Sequence, residues 1–497
     1  MVTHLHGPNH NEIVSFECRP GFAVYPGTIA ARMVPQILVT PTQLMSCGPQ
    51  YCAAARILLS AALLIVLAPH STWGEGQPAP SPLVAADYAD ESKLAALLWE
   101  LSPDVIEARE QVGVAGSEVT RTRLLPNPQL DLSWNTIPIG PTTPSDLHDP
   151  IGNVPNYVVG LSELVDLAKR GPRQAAAAAE FESSRAQAAA VFADRFFELL
   201  KTVGRIATSQ VRDKLLGEEV DESARLLDLE RARADKGEIA RMVVDRSEAE
   251  HARLVSARDA ARTELEAARA DCAVLLTVQC PAFESGDAAR RFLRDGATAS
   301  LPAEWSGEIE ERRPDVSALS AALRAADQKV TLAKRQGIPD VTVRLGYTYD
   351  TFVESGNQRQ SLALGVQMPL PVSDYGQADL QAASAALVRA RRAREALVSS
   401  GRIGLASAAR QRTLIADRVE QLRGGLEKAD ALRKSMQGAA QQGGASQVDV
   451  LLARRHYQEL LLVGTELEGD EYDAALKIRQ VAALFPRPDI GQEEARQ

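Results

Sequence analysis

Ile338–Asp350 reads IPDVTVRLGYTYD. From Val341 on, Val341, Val343, Leu345, Tyr347 and Tyr349 point one way along an extended chain. Thr342, Arg344, Gly346, Thr348 and Asp350 point the other way. A period of two makes a strand with one oily and one polar face. Just downstream, in Ser361–Met368, Leu362, Leu364, Val366 and Met368 alternate with Ser361, Ala363, Gly365 and Gln367. Two earlier segments share the pattern. In Gln129–Thr136 the apolar set is Leu130, Leu132 and Trp134, and in Tyr157–Leu164 it is Tyr157, Val159 and Leu161. Each segment is about 8–10 residues, close to the ~9–11 of a tilted transmembrane strand. Alternation fits an antiparallel sheet half-covered by helices equally well.

The four strands come as two pairs because the chain is written twice. Pro128 and Pro339, each opening a strand pair, are 211 residues apart, and Gly237 and Gly444 are 207 apart. After each pair follows a long proline-free stretch, Arg173–Gln279 and Val372–Phe485, broken by Lys236-Gly237 and by Gly443-Gly444. Divided evenly at those breaks, each stretch gives helices of ~55–60 residues, roughly 80–90 Å long. Leu216, Val220, Ala224 and Leu227 have the spacing of a packed helix face. Runs such as Ala175–Ala179 allow close helix approach. Gly204 and Gly217 read as tolerated interruptions, each costing ~1 kcal/mol against Ala. The intervening Pro281–Glu311, with Leu94–Glu107 and the tail after Pro486, predicts a smaller helical layer around the waist of the long helices.

Composition narrows the function. Aromatics are 5% of the chain, and the net charge of -10 argues against nucleic acid, which needs a basic face. Ile57–Ala68, ILLSAALLIVLA behind Arg56, is too short to span a bilayer and fits a signal-peptide core, with translation starting at Met33 or Met45. Cys18, Cys47 and Cys52 then lie in or before the signal, which leaves Cys272 and Cys280, either bridged or two buried thiols. The histidines have no metal-ligand spacing, and His148 with Asp146 and Asp149 reads as a solvated loop, with weak cation binding as the other reading. No nucleophile–base grouping or phosphate loop occurs, so the expectation is no enzyme, no cofactor and no metal site.

Four strands leave two open edges, which lipid does not tolerate. If these strands are in a membrane, several chains share one barrel, and the helices continue it as a tube.

The ordered motifs resemble the TolC-type outer membrane efflux protein family. They are Leu125-Pro126-Asn127-Pro128-Gln129-Leu130, Leu167-Ala168-Lys169-Arg170-Gly171-Pro172-Arg173, Lys236-Gly237-Glu238-Ile239-Ala240, Arg312-Arg313-Pro314-Asp315 and Gly443–Leu451. The resemblance implies a mixed α/β-barrel membrane protein, a homotrimer sharing a 12-stranded barrel continued by an α-helical periplasmic tunnel. It implies a periplasmic adaptor, an inner-membrane proton-driven pump of the RND type and outer-membrane lipid as partners. The Asn-Pro opening and Lys-Arg closing look most like the heavy-metal branch. On this reading 1–74 is extension and signal, 75–125 N-terminal helices, 126–166 and 339–371 the β-hairpins, and 167–280 and 372–485 the helical hairpins. The connector is 281–311, the helix opening the second repeat 312–338, and the tail 486–497.

Carried over by position, the resemblance puts Asp449 at the pore constriction, where three copies make an acidic ring. A plain helix-end charge is the other reading of Asp449. Gly237, Glu238, Ile239, Gly443, Gly444, Ala445 and Ser446 fall in the adaptor-docking tips. Met242 and Leu452 stand where other members carry acids. A conduit for drugs or secreted polypeptide, and a periplasmic adaptor or coiled-coil protein, are the competing functions.

Overall fold

The computed structural model describes residues 83–141, 148–166, 168–298, 301–302, 304–351 and 358–486. The signal-peptide reading, the first three cysteines, Leu167, Asp146 and the tail beyond 486 lie outside these residues.

After a 3₁₀ turn at Ala85–Ala89, the chain forms α1 (Glu91–Leu101), α2 (Pro103–Arg123), β1 (Gln129–Asn135), the single turn α3 (Pro150–Asn153) and β2 (Asn156–Val165). Then come α4 (Arg170–Asp235), α5 (Arg241–Leu276), α6 (Gly286–Ala297), α7 (Gly307–Arg312) and α8 (Pro314–Gln336). The chain ends with β3 (Val341–Asp350), β4 (Gln360–Gln367), α9 (Gln377–Gln441) and α10 (Gln447–Val481). The repeat is complete at this level, since α2-β1-β2-α4-α5 corresponds to α8-β3-β4-α9-α10. Both α2 and α8 open on Pro-Asp-Val with proline in the first turn, where its missing N–H costs nothing. Pro103 and Pro314 are 211 residues apart, the offset of Pro128 and Pro339.

The helical hairpins are unequal, which corrects the even division expected from the sequence. α4 and α9 have 66 and 65 residues, about 100 Å of helix, whereas α5 and α10 have 36 and 35. Each long helix leaves the sheet in one piece, but the return is made in two. α5 and α10 climb from the tips to the waist, and the much shorter α2 and α8 cover the rest. α5 stops at Thr277, held in the left-handed region at φ 54. That ending carries neither glycine nor proline.

The strands form one antiparallel sheet in the order β1-β2-β3-β4. Its register aligns like with like. Leu130 pairs with Leu161, Leu161 with Leu345 and Leu345 with Leu364. Leu132, Val159, Tyr347 and Leu362 form the next row, and Trp134, Tyr157 and Tyr349 the one after. The helices keep the same order. Near the sheet α2 packs on α4, α4 on α8 and α8 on α9; farther away α5 packs on α4, α4 on α10 and α10 on α9. One flank of the layer is therefore α2 above α5, the other is α9, and both lie open beneath an open strand edge.

The thick core is a belt at the waist. Phe192, Phe196, Phe197, Leu199, Leu200, Val203 and Ile206 of α4 pack with Tyr88, Leu94 and Leu98, with Phe283, Ala289 and Leu293, and with Tyr472 and Leu476. Elsewhere the helices meet through alanine, for example Ala318, Ala321, Ala325 and Ala326 of α8.

Candidate functional site

The oily side of the sheet faces outward. Leu130, Leu132, Leu362, Leu364 and Val366 are each 65–76% exposed, and no helix among the described residues covers them. Trp134 and Tyr157 stack at 6.2 Å near one end of the strands. The opposite face carries Asp131, Ser133, Ser162, Arg344 and Thr348. The oily face is uncovered and the other face is polar, the reverse of a soluble sheet, whose oily face is packed against the core. Among the described residues no helix is long and apolar enough to cross a membrane.

At the far end both hairpins turn by the same device. Gly237 and Gly443 sit at φ 77 and 76, where a side chain is strained. Gly237 N–H donates to the Ala234 carbonyl at 2.9 Å and Glu238 N–H to that of Arg233 at 2.9 Å. Gly443 N–H reaches Ala440 at 3.1 Å and Gly444 N–H reaches Ala439 at 2.8 Å. These paired bonds close each helix as a Schellman motif. Gly444 has no such backbone demand, since a Cβ there would meet only the Ala439 carbonyl at 3.6 Å. The Glu238 carboxylate is held by the Arg233 guanidinium at 3.2 Å.

Asp449 is exposed and belongs to a capping box. Its N–H donates to Ser446 Oγ at 3.2 Å, and its carboxylate accepts from Ser446 N–H at 3.2 Å and from Ser446 Oγ–H at 2.7 Å. The Ser446 hydroxyl, then its backbone N–H, pull the carboxyl below its usual range. The helix-end role of Asp449 is thus present within one chain, and it fixes the charge that a ring would use. Met242 is 76% exposed and Leu452 49%.

Above the tips the two hairpins are tied together. The Arg454 guanidinium on α10 pairs with Glu222 and, at 3.6 Å, with Glu219 on α4. Burial pushes Glu219 up to about 7, against the opposing pull of Arg454. A cavity of about 580 Å³ opens here between α4, α9 and α10, lined among others by Leu229, Glu230, Gln437, Leu451 and Tyr457. None of these long-range partners is visible in the sequence.

Cys272 and Cys280 are joined, with Cα atoms 6.0 Å apart, across the left-handed Thr277. His148, His251 and His456 stay apart, and among the described residues no three His, Cys, Asp or Glu side chains are placed to hold a metal ion. Asp149 is occupied in capping α3, accepting from Gly152 N–H. Ser223 Oγ lies 2.8 Å from His251 Nδ1 and 2.9 Å from the Val220 carbonyl.

Residues 305–483 match the family described as Outer membrane efflux protein. No curated protein sequence matches the chain. Several solved structures share its fold. The Campylobacter jejuni CmeC outer membrane channel is 14% identical, with 86% of this chain and 93% of that one covered at a TM-score of 0.68. CusC, described for conformational changes accompanying folding and transmembrane channel formation, is 15% identical over 84% and 99% at 0.64. The open state of the Neisseria gonorrhoeae MtrE outer membrane channel is 17% identical over 78% and 88% at 0.63.

Proposed function

We infer that this chain, which carries the outer membrane efflux protein family's pattern over residues 305–483 and that channel fold throughout its described part, is one subunit of an outer-membrane efflux duct. The observation that carries the reading is the sheet. Its apolar rows are exposed on one side, its polar residues face the other, and both of its edges are open. In lipid such edges must be paired, and β4 of one copy can pair only with β1 of another. Three copies close a barrel of twelve strands, and the helices prolong it into the periplasm as a tunnel. The tips, Gly237–Ile239 and Gly443–Ser446, are the docking points for a periplasmic adaptor fed by an inner-membrane pump of the RND type. Asp449 lines the narrow end, where its charge favours cations.

The cargo we propose is heavy-metal cations, on the strength of the Asn127-Pro128 opening and the Lys169-Arg170 closing of the first repeat. The duct passes them without holding them at a site of its own. The test is deletion of the gene followed by a tolerance panel of metals and drugs. Sensitisation to cobalt, zinc, cadmium, copper or silver supports the metal assignment. Unchanged tolerance to every metal, with sensitisation to drugs, overturns it and leaves the duct intact.

A further inference from the structure

The seam between the two repeats inside one chain is fastened by charge. Lys169 Nζ, closing the first repeat, meets Asp340 Oδ2, opening the second, at 3.1 Å. Farther from the sheet, Glu180 on α4 pairs with Lys329 on α8 at 2.7 Å. The repeat offsets carry these positions to the open flanks of the molecule. Lys169 and Asp340 map to Gly376 and Gln129, so the upper fastening is lost. Glu180 maps to Leu387 on α9, and Lys329 maps to Glu118 on α2. Glu118 thus holds the place of a lysine with the opposite sign; within its own helix it accepts from Arg121 Nε and Nη2, each at 2.6 Å, so a partner's arginines share or displace that pair.

The other flank answers it. Arg389, Arg391 and Arg392 lie within five residues of Leu387, and Arg391 is one turn along the same face. All three are exposed, and they form no ion pair among the described residues. The helix registers of the two repeats agree as well. Gly116 of α2 lies against Phe181 of α4 in the first copy, and Gly401 of α9 lies against Arg313 at the head of α8 in the second. Subtracting the two offsets carries Gly401 and Arg313 to positions 194 and 102, which lie farther along the antiparallel α2–α4 pair but in the same register as Gly116 and Phe181, to within a residue.

We propose that the α9 arginine cluster, centred on Arg391, binds Glu118 on α2 of a second copy of this chain, and that this reversed ion pair sets the register in which copies join. The inference rests on the reading that several copies share one barrel. The contact is heterologous, one flank meeting the other, so it propagates round a ring and closes. Reversal of sign has a consequence for specificity. The in-chain seam presents Glu180 to Lys329, and a foreign α9 offered to α8 would set arginines against that lysine. Like charges at the wrong seam and opposite charges at the right one distinguish joining copy to copy from invading a neighbour's repeat.

The test uses the full-length chain in outer membranes. Glu118→Cys combined with Arg391→Cys should yield reductant-sensitive dimers and trimers under mild oxidation, and neither single variant should. Glu118→Arg should lower the trimer-to-monomer ratio at least tenfold on mild-detergent native gels. Combining it with Arg389→Glu, Arg391→Glu and Arg392→Glu should restore the ratio. A wild-type chain that runs as a trimer while the double cysteine variant gives no cross-link and Glu118→Arg leaves the ratio unchanged overturns the proposal and spares the duct. A wild-type chain that is monomeric in the membrane overturns both.

Discussion

The ring of Tyr472 stands where a side chain on Gly204 would be. A Cβ built on Gly204 would lie 2.5 Å from Tyr472 Cε1, and one on Gly296 would lie 2.5 Å from Cε2. The ring is therefore slotted between α4 and α6, and its hydroxyl donates to the Leu200 carbonyl at 3.1 Å. Gly204 is no tolerated interruption of a long helix. It is the notch that lets α10 reach the waist core. Gly204→Ala raises helix propensity by ~1 kcal/mol yet overpacks a buried ring at a cost of about 1–3 kcal/mol. The expected outcome is a net loss of thermal stability. Tyr472→Ala should lose more on its own, but adding Gly204→Ala to it should cost nothing further or help. That non-additivity, read by unfolding in detergent, separates the notch from a general helix defect.

What the sequence disclosed and what it hid divide along a physical line. Period-two alternation at Val341–Asp350 and the repeat offsets are local or self-similar signals, and from them the strands follow. The notch at Gly204 depends on a residue 268 positions away, which no window contains. The return helices are shorter than an even division gives because the breaks at Gly237 and Gly443 lie well past the middle of each proline-free stretch, and α5 then ends at Thr277, whose Oγ1 donates to the Leu101 carbonyl at 3.3 Å. No helix-stop residue precedes it. The mark of the true second segment is Pro-Asp-Val, at 103 and again at 314. The tips were legible as glycines, whereas the Arg454 tie above them was not, because charges on long helices look alike until their neighbours are known.

The sheet makes the sharpest prediction about environment. Leu345 lies mid-strand in the leucine row, and its neighbour Thr348 belongs to the polar face. An arginine near the bilayer midplane on the lipid side costs about 2–4 kcal/mol, while the lumen side tolerates it. Leu345→Arg should therefore deplete the chain from the outer membrane, and Thr348→Arg should not. Immunoblotting of fractionated membranes decides. Equal depletion would contradict the assignment of faces.

The disulfide closes a short loop at the end of α5. A link of this size is worth about 2–3 kcal/mol by loop-closure entropy. Reductant should lower the melting temperature of the wild-type chain, and it should have no effect on the Cys272→Ser, Cys280→Ser double variant. Mass analysis of alkylated protein, with and without prior reduction, checks that the two sulfurs are joined.

Glu219 ties stability to pH. Its folded value, pushed up to about 7, lies above the ordinary carboxylate range that it regains on unfolding. Between those two values the folded chain holds a proton that the unfolded chain has released. The group's contribution is therefore fully present at acid pH and is lost as pH rises through about 7. Glu219→Gln should flatten the pH dependence of melting over this window and stabilise most at pH 8. A steeper fall in the variant would show that the Arg454 pairing, not burial, governs the site.

Asp449 shifts in the other direction, and its position makes that consequential. Ser446 holds the carboxyl below its usual range, so it stays ionised across the pH of any periplasm and discharges only in strong acid. Its contribution as cap and as fixed charge is thus constant from pH 5 to 8. Single-channel recording in a planar bilayer should show cation preference that does not change over that interval, and Asp449→Asn should reduce it at every pH. Ser446→Ala is the informative companion. It removes the cap, costs the start of α10 about 1 kcal/mol, and frees the carboxyl to rise toward its ordinary value. The charge at neutral pH is unaltered, so selectivity should survive in Ser446→Ala and fall in Asp449→Asn. If both variants lose selectivity alike, Asp449 acts only through the helix end. If neither does, the constriction lies elsewhere in the tunnel.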